Sequence, residues 1–384
     1  MSVRKRKWVT RLGEAKEAWI VDYTDQQGDR HIRTFARKKD ADDYRATVKV
    51  DVRAGTHTAP SKSVTVAVAA DRWLNRVEAE GRERGTLAQY RQHVSLHIAP
   101  RIGKMKLASL TPTKVETFRD DLVANLSRPM ARKVLVSFKS LLRAAKYAHV
   151  AADVSVGRNK RSERKLEVGS DIPTPAEVRR LVDAAKDDAR LRALVLTAAL
   201  CGLRASELRG LRWADIDLKA GEVHVRQRAD RYNNIGAPKS ASSTRTIPLA
   251  PEVEAALKVW KLACPKGELD LVFPTRPGAI MYHRSMLDSL APVMVAAGVV
   301  NKAGKPKYGL HALRHFFASW CINPIKKGGR ELPAKVVQAW LGHSKIAMTM
   351  DTYGHLFPDA DELGRGAIDA AFGDVRPMCA SQLL

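Results

Sequence analysis

The stretch Thr197-Ala-Ala-Leu-Cys-Gly-Leu-Arg-Ala-Ser-Glu-Leu208 decides how this chain reads. Its first half closes an apolar run whose periodicity predicts a helix over 191–200, and Gly202 marks the stop. Arg204 stands just past that break, and Glu207 reads as a helix-start residue or one that orients the arginine. A planar guanidinium at such a break can bind a phosphate with two parallel bonds. Toward the N-terminus, Thr174-Pro-Ala-Glu177 is a capping box with proline at the first helical position, opening a helix through Val178, Leu181, Val182 and Ala185. Toward the C-terminus, 222–228 and 245–249 read as strands. Helices follow from Pro251 onward, apart from loops around 274–278, 301–308 and 324–333.

Upstream of Thr174 the pattern changes twice. Residues 153–171, with Gly157-Arg-Asn-Lys-Arg-Ser-Glu-Arg-Lys165, are charged and lack hydrophobic periodicity, which predicts a basic linker. Residues 64–152 read as helical throughout. Val66, Ala70, Trp73, Leu74 and Val77 share one face; Thr86 reads as the cap of a second helix carrying Leu87, Tyr90, Val94 and Leu96. Thr111-Pro112 opens a third helix, and Phe138, Leu141, Leu142 and Ala145 stripe a fourth. Residues 55–63 are a linker by composition. Residues 1–57 read as a small three-stranded sheet plus one helix, with a turn at 25–29 and helical spacing at Ala41, Tyr44, Val48 and Val52. Arg4, Lys5, Arg6 and Lys7 read as a basic arm ahead of the sheet, equally a solvated tail or a phosphate contact. The expected fold class is mainly α with small antiparallel β-sheets, α+β and multidomain, with the last domain over 172–384.

Composition narrows the partner. The 384 residues carry 66 Lys+Arg against 41 Asp+Glu, a net charge of +25. So large an excess points to a polyanion, and double-stranded DNA fits better than a membrane surface, because no basic amphipathic anchor accompanies the charge. Arg82, Arg84, Thr86, Tyr90 and Arg91, with Arg4, Lys5, Arg6 and Lys7, are candidate DNA contacts. Cys201, Cys264, Cys321 and Cys379 are far apart, which argues against structural zinc and a disulfide framework. No stretch reads as a signal peptide, and the apolar run 193–201 is too short to span a bilayer, so the expected location is the cytoplasm.

Six residues of the last domain carry a chemistry: Arg204, Lys239, His311, Arg314, His343 and Tyr353. In-line attack on a phosphodiester requires charge stabilisation at the non-bridging oxygens, a nucleophile and an acid for the leaving oxygen. With no acidic metal-ligand spacing in the chain, guanidinium groups are the natural stabilisers and a tyrosine the natural nucleophile. Each residue alone has a blander reading, a surface arginine or a packed tyrosine. An unperturbed phenol is ionised in only about one molecule in a thousand at neutral pH, so it needs cationic neighbours or a base. His315 and His355 read as structural, and Trp320 and Trp340 as core.

Gly-Leu-Arg-Ala-Ser-Glu-Leu (202–208), His-Ala-Leu-Arg-His (311–315), Leu-Gly-His-Ser (341–344) and the downstream Tyr353 resemble the tyrosine recombinases, or phage integrase family. Each motif is weak alone, but four in register are specific. Lys239, in Pro238-Lys-Ser-Ala-Ser-Ser-Thr-Arg-Thr-Ile-Pro-Leu249, looks like the family's hairpin lysine. Residues 86–100 look like its helical core-binding domain, and residues 1–57 resemble the arm-binding domain of lambda-type integrases, which the shorter chromosome-dimer-resolving members lack. Ala312 departs from the small polar or acidic residue frequent there, and the loop 323–333 looks longer than typical.

The resemblance implies that Tyr353 attacks the scissile phosphate, forming a 3′-phosphotyrosyl link and freeing a 5′-hydroxyl. Arg204 and Arg314 would hold the non-bridging oxygens, Lys239 would protonate the leaving oxygen, His311 would serve proton transfer at the nucleophile, and His343 would bond the phosphate. Neither metal nor ATP or other cofactor is implied. The implied partners are core and arm-type attachment sites on DNA, three further copies in a homotetramer on DNA, a DNA-bending host factor and an excision factor. The implied task is integration and excision of a mobile element. A tail beyond Tyr353, with Leu363, Ala367, Ile368, Ala371 and Phe372 on one face, would pack in cis or dock on a neighbouring protomer. The competing readings are a type IB topoisomerase, a catalytically inactive DNA-binding regulator and, more remotely, a metal nuclease.

Overall fold

The computed structural model describes residues 1–11, 13–25, 27–53, 63–157, 165–325 and 328–357. The 358–384 tail with Cys379, residues 54–62 and residues 158–164 of the basic linker lie outside the described residues. The chain divides into two compact units, Met1–Glu163 and Arg164–Leu384.

The first unit opens with a sheet of three antiparallel strands in the order β1 (Ser2–Val9), β2 (Ala15–Thr24), β3 (Arg30–Phe35). Helix α1 (Lys38–Arg53) packs on it, and Val21, Tyr23, Ala41 and Val48 form the small core. The β2–β3 turn is held by Asp25, whose carboxylate accepts from the backbone N–H groups of Gln27 and Asp29. Arg4, Lys5, Arg6 and Lys7 do not form a free arm. They lie within β1, paired opposite Ile20, Trp19, Ala18 and Glu17. Ladder bonds to β2 and ion pairs, Arg4 to Asp22 at 3.5 Å and Lys5 to Glu17 at 2.7 Å, make the strand the better solution for this run of charge.

The helical part of the same unit comprises α2 (Val66–Ala79), α3 (Arg84–His93), α4 (Ala99–Ile102), α5 (Pro112–Asn125) and α6 (Arg128–Ala144). Trp73, Phe118, Phe138 and Leu142 are among its buried core. Thr65 caps α2 and Thr111 caps α5, each accepting from the backbone N–H three residues on. Thr86 is not a cap: α3 begins at Arg84 behind Glu83. Gly81, at φ +70°, ends α2, and the N–H groups of Gly81 and Arg82 turn back to Glu78 and Val77. The chain therefore re-enters a helix earlier than the Thr86 reading predicts.

The second unit is built around α8 (Ala189–Leu200), in which Ala193 through Ala199 are all buried. Packed around it are α7 (Pro175–Ala184), α9 (Ala205–Gly210), α10 (Pro251–Ala263), α11 (His283–Ala296), α12 (Leu310–Ile322), α13 (Ala334–Leu341) and α14 (Ile346–Tyr353). The sheet is antiparallel, β4 (Ile216–Asp217), β5 (Glu222–Val225), β8 (Arg245–Pro248), with a separate hairpin of β6 (Arg228–Ala229) and β7 (Ile235–Gly236). The Thr174 capping box forms in full, with Glu177 bonded back to the Thr174 N–H. The molecule is mainly α with small antiparallel sheets.

Candidate active site around Tyr353

Two helix ends supply the frame. After α8, Gly202 turns at φ +59°, and a Cβ there would run into the ring of Phe317. After α13, Gly342 turns at φ +64°, and a Cβ would come within 3.0 Å of an Arg245 nitrogen. Both positions need glycine. The carbonyl-rich ends of these helices carry partial negative charge, and the two arginines fasten to them. Arg314, on α12 and 2% exposed, donates from Nη1 to Gly202 O and from Nη2 to Leu341 O, each at 2.6 Å. Arg204 donates from Nη2 to Gly342 O at 2.9 Å.

Glu207 connects Arg204 to the sheet. Its carboxylate accepts from the Arg204 backbone N–H at 2.9 Å and from Arg204 Nη1 at 2.7 Å. It also accepts from Nη1 and Nη2 of Arg245 at 3.2 and 2.8 Å, while Arg245 Nε donates to Trp340 O at 2.6 Å. Burial alone would raise this carboxyl, but the Arg245 bonds and then Arg204 hold it below the usual range. Burial, then Arg204, lowers the pKa of Arg314, whose guanidinium nonetheless stays charged.

The histidines are neutral. His343 Nε2 accepts from Arg314 Nη2 at 3.3 Å, which leaves Nδ1–H to donate to Thr349 Oγ1 at 2.9 Å. Burial, then Arg314, brings His343 down to about 4. His311 is shifted down by burial, then by Arg314 and Arg204. Its ring meets that of His315 edge-on, 4.6 Å between centroids. Tyr353 ends α14, is 2% exposed, and its hydroxyl lies 2.6 Å from His315 Nδ1. Burial lifts the phenol to about 12, against the pull of Arg314.

Arg204, His311, Arg314, His315, His343 and Tyr353 line one cavity of about 430 Å³, closed on one side by Met348, Asp351 and Thr352 of α14. Five of the six residues singled out in the sequence thus come together. Lys239 does not line the cavity; it is exposed on the bend between β7 and β8. That connection folds on itself through Ser240, whose hydroxyl bonds Ser243 at 2.9 Å. Two residues escaped the sequence reading. His315, read there as structural, follows His311 by one helical turn and so shares its face, a signal that was available. Arg245 gave no local signal, because its partner Glu207 is 38 positions away.

Among the proposed DNA contacts, Arg82 and Arg84 are exposed. Arg91 is exposed but paired with Glu78 at 2.7 Å. Tyr90 is half-buried against Trp73, 4.8 Å between ring centroids. Trp320 and Trp340 are partly buried against the core of the second unit. His355 Nε2 donates to Leu166 O at 2.8 Å and lines no part of the cavity. Among the described residues no group of three or more His, Cys, Asp or Glu is placed to hold a metal, and no helix is long and apolar enough to cross a membrane.

Residues 173–359 match the model of the phage integrase family, and residues 65–123 match that of the phage integrase N-terminal SAM-like domain. The tyrosine recombinase XerC-like protein of Caldanaerobacter subterraneus subsp. tengcongensis is 26% identical over 328 residues, covering 77% of this chain and 81% of that one. Tyrosine recombinase XerC of Xanthomonas axonopodis pv. citri is 33% identical over 183 residues, 47% of this chain, and the chain spans about half (52%) of its length. In fold the chain is similar to a fragment of the Tn1549 transposon integrase, carrying one arginine-to-lysine substitution, in complex with a circular intermediate DNA. That likeness has a TM-score of 0.62 and 20% identity over 80% of this chain and 100% of that one. It is similar also to the lambda integrase dimer bound to a COC′ core site, with a TM-score of 0.54 and 16% identity over 92% of this chain and 94% of that one. With both family models matched in order, and the motif residues gathered at a single cavity, the chain belongs to the phage integrase family of tyrosine recombinases, DNA strand-transferring enzymes.

Proposed function

We propose that this recombinase integrates and excises a mobile element by cutting and rejoining DNA at specific sites through a 3′-phosphotyrosyl intermediate on Tyr353. The observation that carries the assignment is the buried Tyr353 hydroxyl lining the same cavity as the guanidinium groups of Arg204 and Arg314. Phosphate oxygens entering there meet two planar cations that protein acceptors already hold in place, so little reorganisation accompanies the reaction. His343 offers a further polar contact to the phosphate, and His311 borders its path. Lys239 is the acid for the leaving 5′-oxygen, brought to it when DNA binds and the β7–β8 connection closes. The ester conserves the bond energy, and a partner strand's 5′-hydroxyl reverses the chemistry.

The sheet with α1 reads as the arm-site module, the α2–α6 bundle as the core-site module and the second unit as the catalytic domain. Four protomers act together, since exchange needs four strands cut, with a DNA-bending host factor and an excision factor as accessory partners in the cytoplasm. The likeness to a transposon integrase and to lambda integrase supports the mobile-element role. The test uses duplexes carrying a randomised centre and a nick, from which the full-length protein selects those it captures covalently. The wild type should form an adduct and Tyr353→Phe none; an undiminished adduct in the variant would falsify the assignment. Recombination between two captured sites on one plasmid then separates a recombinase from an enzyme that only relaxes supercoils.

A further inference from the structure

We propose that His315 is a catalytic residue: its Nδ1 accepts the Tyr353 hydroxyl proton as the phenol oxygen attacks phosphorus. The inference rests on Tyr353 being the nucleophile, as proposed above. A general base must lie within hydrogen-bond reach of the proton it removes. Among the described residues the Tyr353 hydroxyl bonds His315 alone, at 2.6 Å, inside the cavity that also holds the two arginines. His311 meets the His315 ring edge-on, and among the described residues no hydrogen bond joins it to the Tyr353 hydroxyl. The phenol carries the proton, so Nδ1 is the bare nitrogen and Nε2 bears the hydrogen of the neutral ring.

The step balances without a further reactant. The Tyr353 O–H bond breaks and its proton passes to His315 Nδ1. The phenol oxygen forms the bond to phosphorus while the bond from phosphorus to the 5′-oxygen breaks, and that oxygen leaves with its electron pair and is protonated by the acid. In the return reaction the imidazolium gives the proton back to the departing tyrosine oxygen.

The surroundings make the base conditional on substrate. Burial, then His311 and Arg314 on its own helix, disfavours the His315 cation and brings its pKa to about 4, with Asp171 from the segment before α7 acting the opposite way. Tyr353 of α14 faces it as the neutral phenol. In the free protein the proton therefore stays on the tyrosine. A phosphate between Arg204 and Arg314 adds negative charge beside the ring and offsets the repulsion that Arg314 imposes on an imidazolium. Deprotonation is thereby tied to the arrival of DNA.

The test measures the rate of covalent capture on a nicked duplex selected with the wild-type full chain. His315→Ala removes both the acceptor and the ring. His315→Asn keeps an amide oxygen near the Nδ1 position, able to hold the hydroxyl but not to take its proton. Both variants should capture DNA roughly a hundredfold more slowly, with duplex binding near wild type, and added imidazole should accelerate His315→Ala. An asparagine variant within about threefold of wild type, as a base contributing so little would leave it, reduces His315 to a positioning residue and overturns the proposal. So does an alanine variant at the wild-type rate. If the asparagine variant binds duplex as the wild type does, a folding failure is excluded even should the alanine variant not fold. A wild type that captures DNA through another residue, with Tyr353→Phe fully active, removes the nucleophile assignment and this proposal together. Normal dependence on Tyr353 with unaffected His315 variants removes this one alone.

Discussion

Glu207 is the residue on which the charge balance of the site turns. It is 3% exposed and pairs with two guanidinium groups at once. Replacing it with alanine leaves Arg245, its side chain 5% exposed, without a counter-ion. Breaking a buried pair from one side costs about 3–5 kcal/mol, so Glu207→Ala should lower the unfolding free energy by that order in a denaturant titration. The acid behaviour follows from the shifts. Glu207 is held below its unfolded value of 4.5, so its contribution is complete above that pH and disappears as pH falls through the depressed value. His315 and His343 are brought from 6.5 to about 4, so between those values the unfolded chain binds protons that the folded chain refuses. Stability should therefore fall from pH 6.5 toward 4, and His343→Asn should flatten that slope in pH-dependent melting. The outcome that sinks this account is an unchanged slope in both His343→Asn and His315→Asn. At this scale the sequence was most legible where chemistry is local: Arg204 announces itself beside a glycine stop, and Tyr353 follows His343 closely. His315 was passed over because adjacency to Arg314 says nothing about which neighbour a ring faces once α14 folds back.

Elements position the arginines through the ends of α8 and α13. Gly342→Ala would place a β-carbon in the left-handed region and against Arg245. Strain of that kind costs about 1–3 kcal/mol, and covalent capture should fall alongside the melting temperature because Gly342 O also holds Arg204. Rates and melting both equal to wild type would show that the turn relaxes freely. The Thr174 and Thr111 caps were readable from composition because a cap and its proline are neighbours in sequence. The start of α3 was not, since it depends on how Gly81 ends the helix before it. The β1 strand was read as a free arm because a run of charge suppresses the hydrophobic alternation by which strands are recognised, although its pairing with β2 supplies the ladder. Lys239 marks the limit of motif reading: a residue type at the right place in the chain does not fix where an exposed bend holds it.

At the scale of the molecule, the net charge of +25 governs association with DNA. The logarithm of the binding constant should fall steeply and linearly with the logarithm of salt concentration, with a slope of about −0.9 per phosphate contacted. Arg82→Ala should reduce that slope by about one if the exposed side of α2–α3 follows the backbone. A slope unchanged within error would move the contact surface elsewhere. The multidomain α+β organisation was visible in the switches between periodic and charged stretches. The assignment of each module to a class of DNA site depends on surfaces, and basic residues alone do not specify sequence.

The attachment of Arg314 to Gly202 O and Leu341 O bears on how this enzyme is to be silenced in the laboratory. Arginine variants are a common choice of inactive control, on the assumption that only chemistry is removed. Here the same side chain rivets two helix ends together, and its loss strands two carbonyls away from water. An Arg314→Ala protein would confound a missing phosphate contact with a loosened scaffold. Tyr353→Phe deletes a single oxygen from a ring that stays packed, which makes it the control whose inactivity can be read as chemistry.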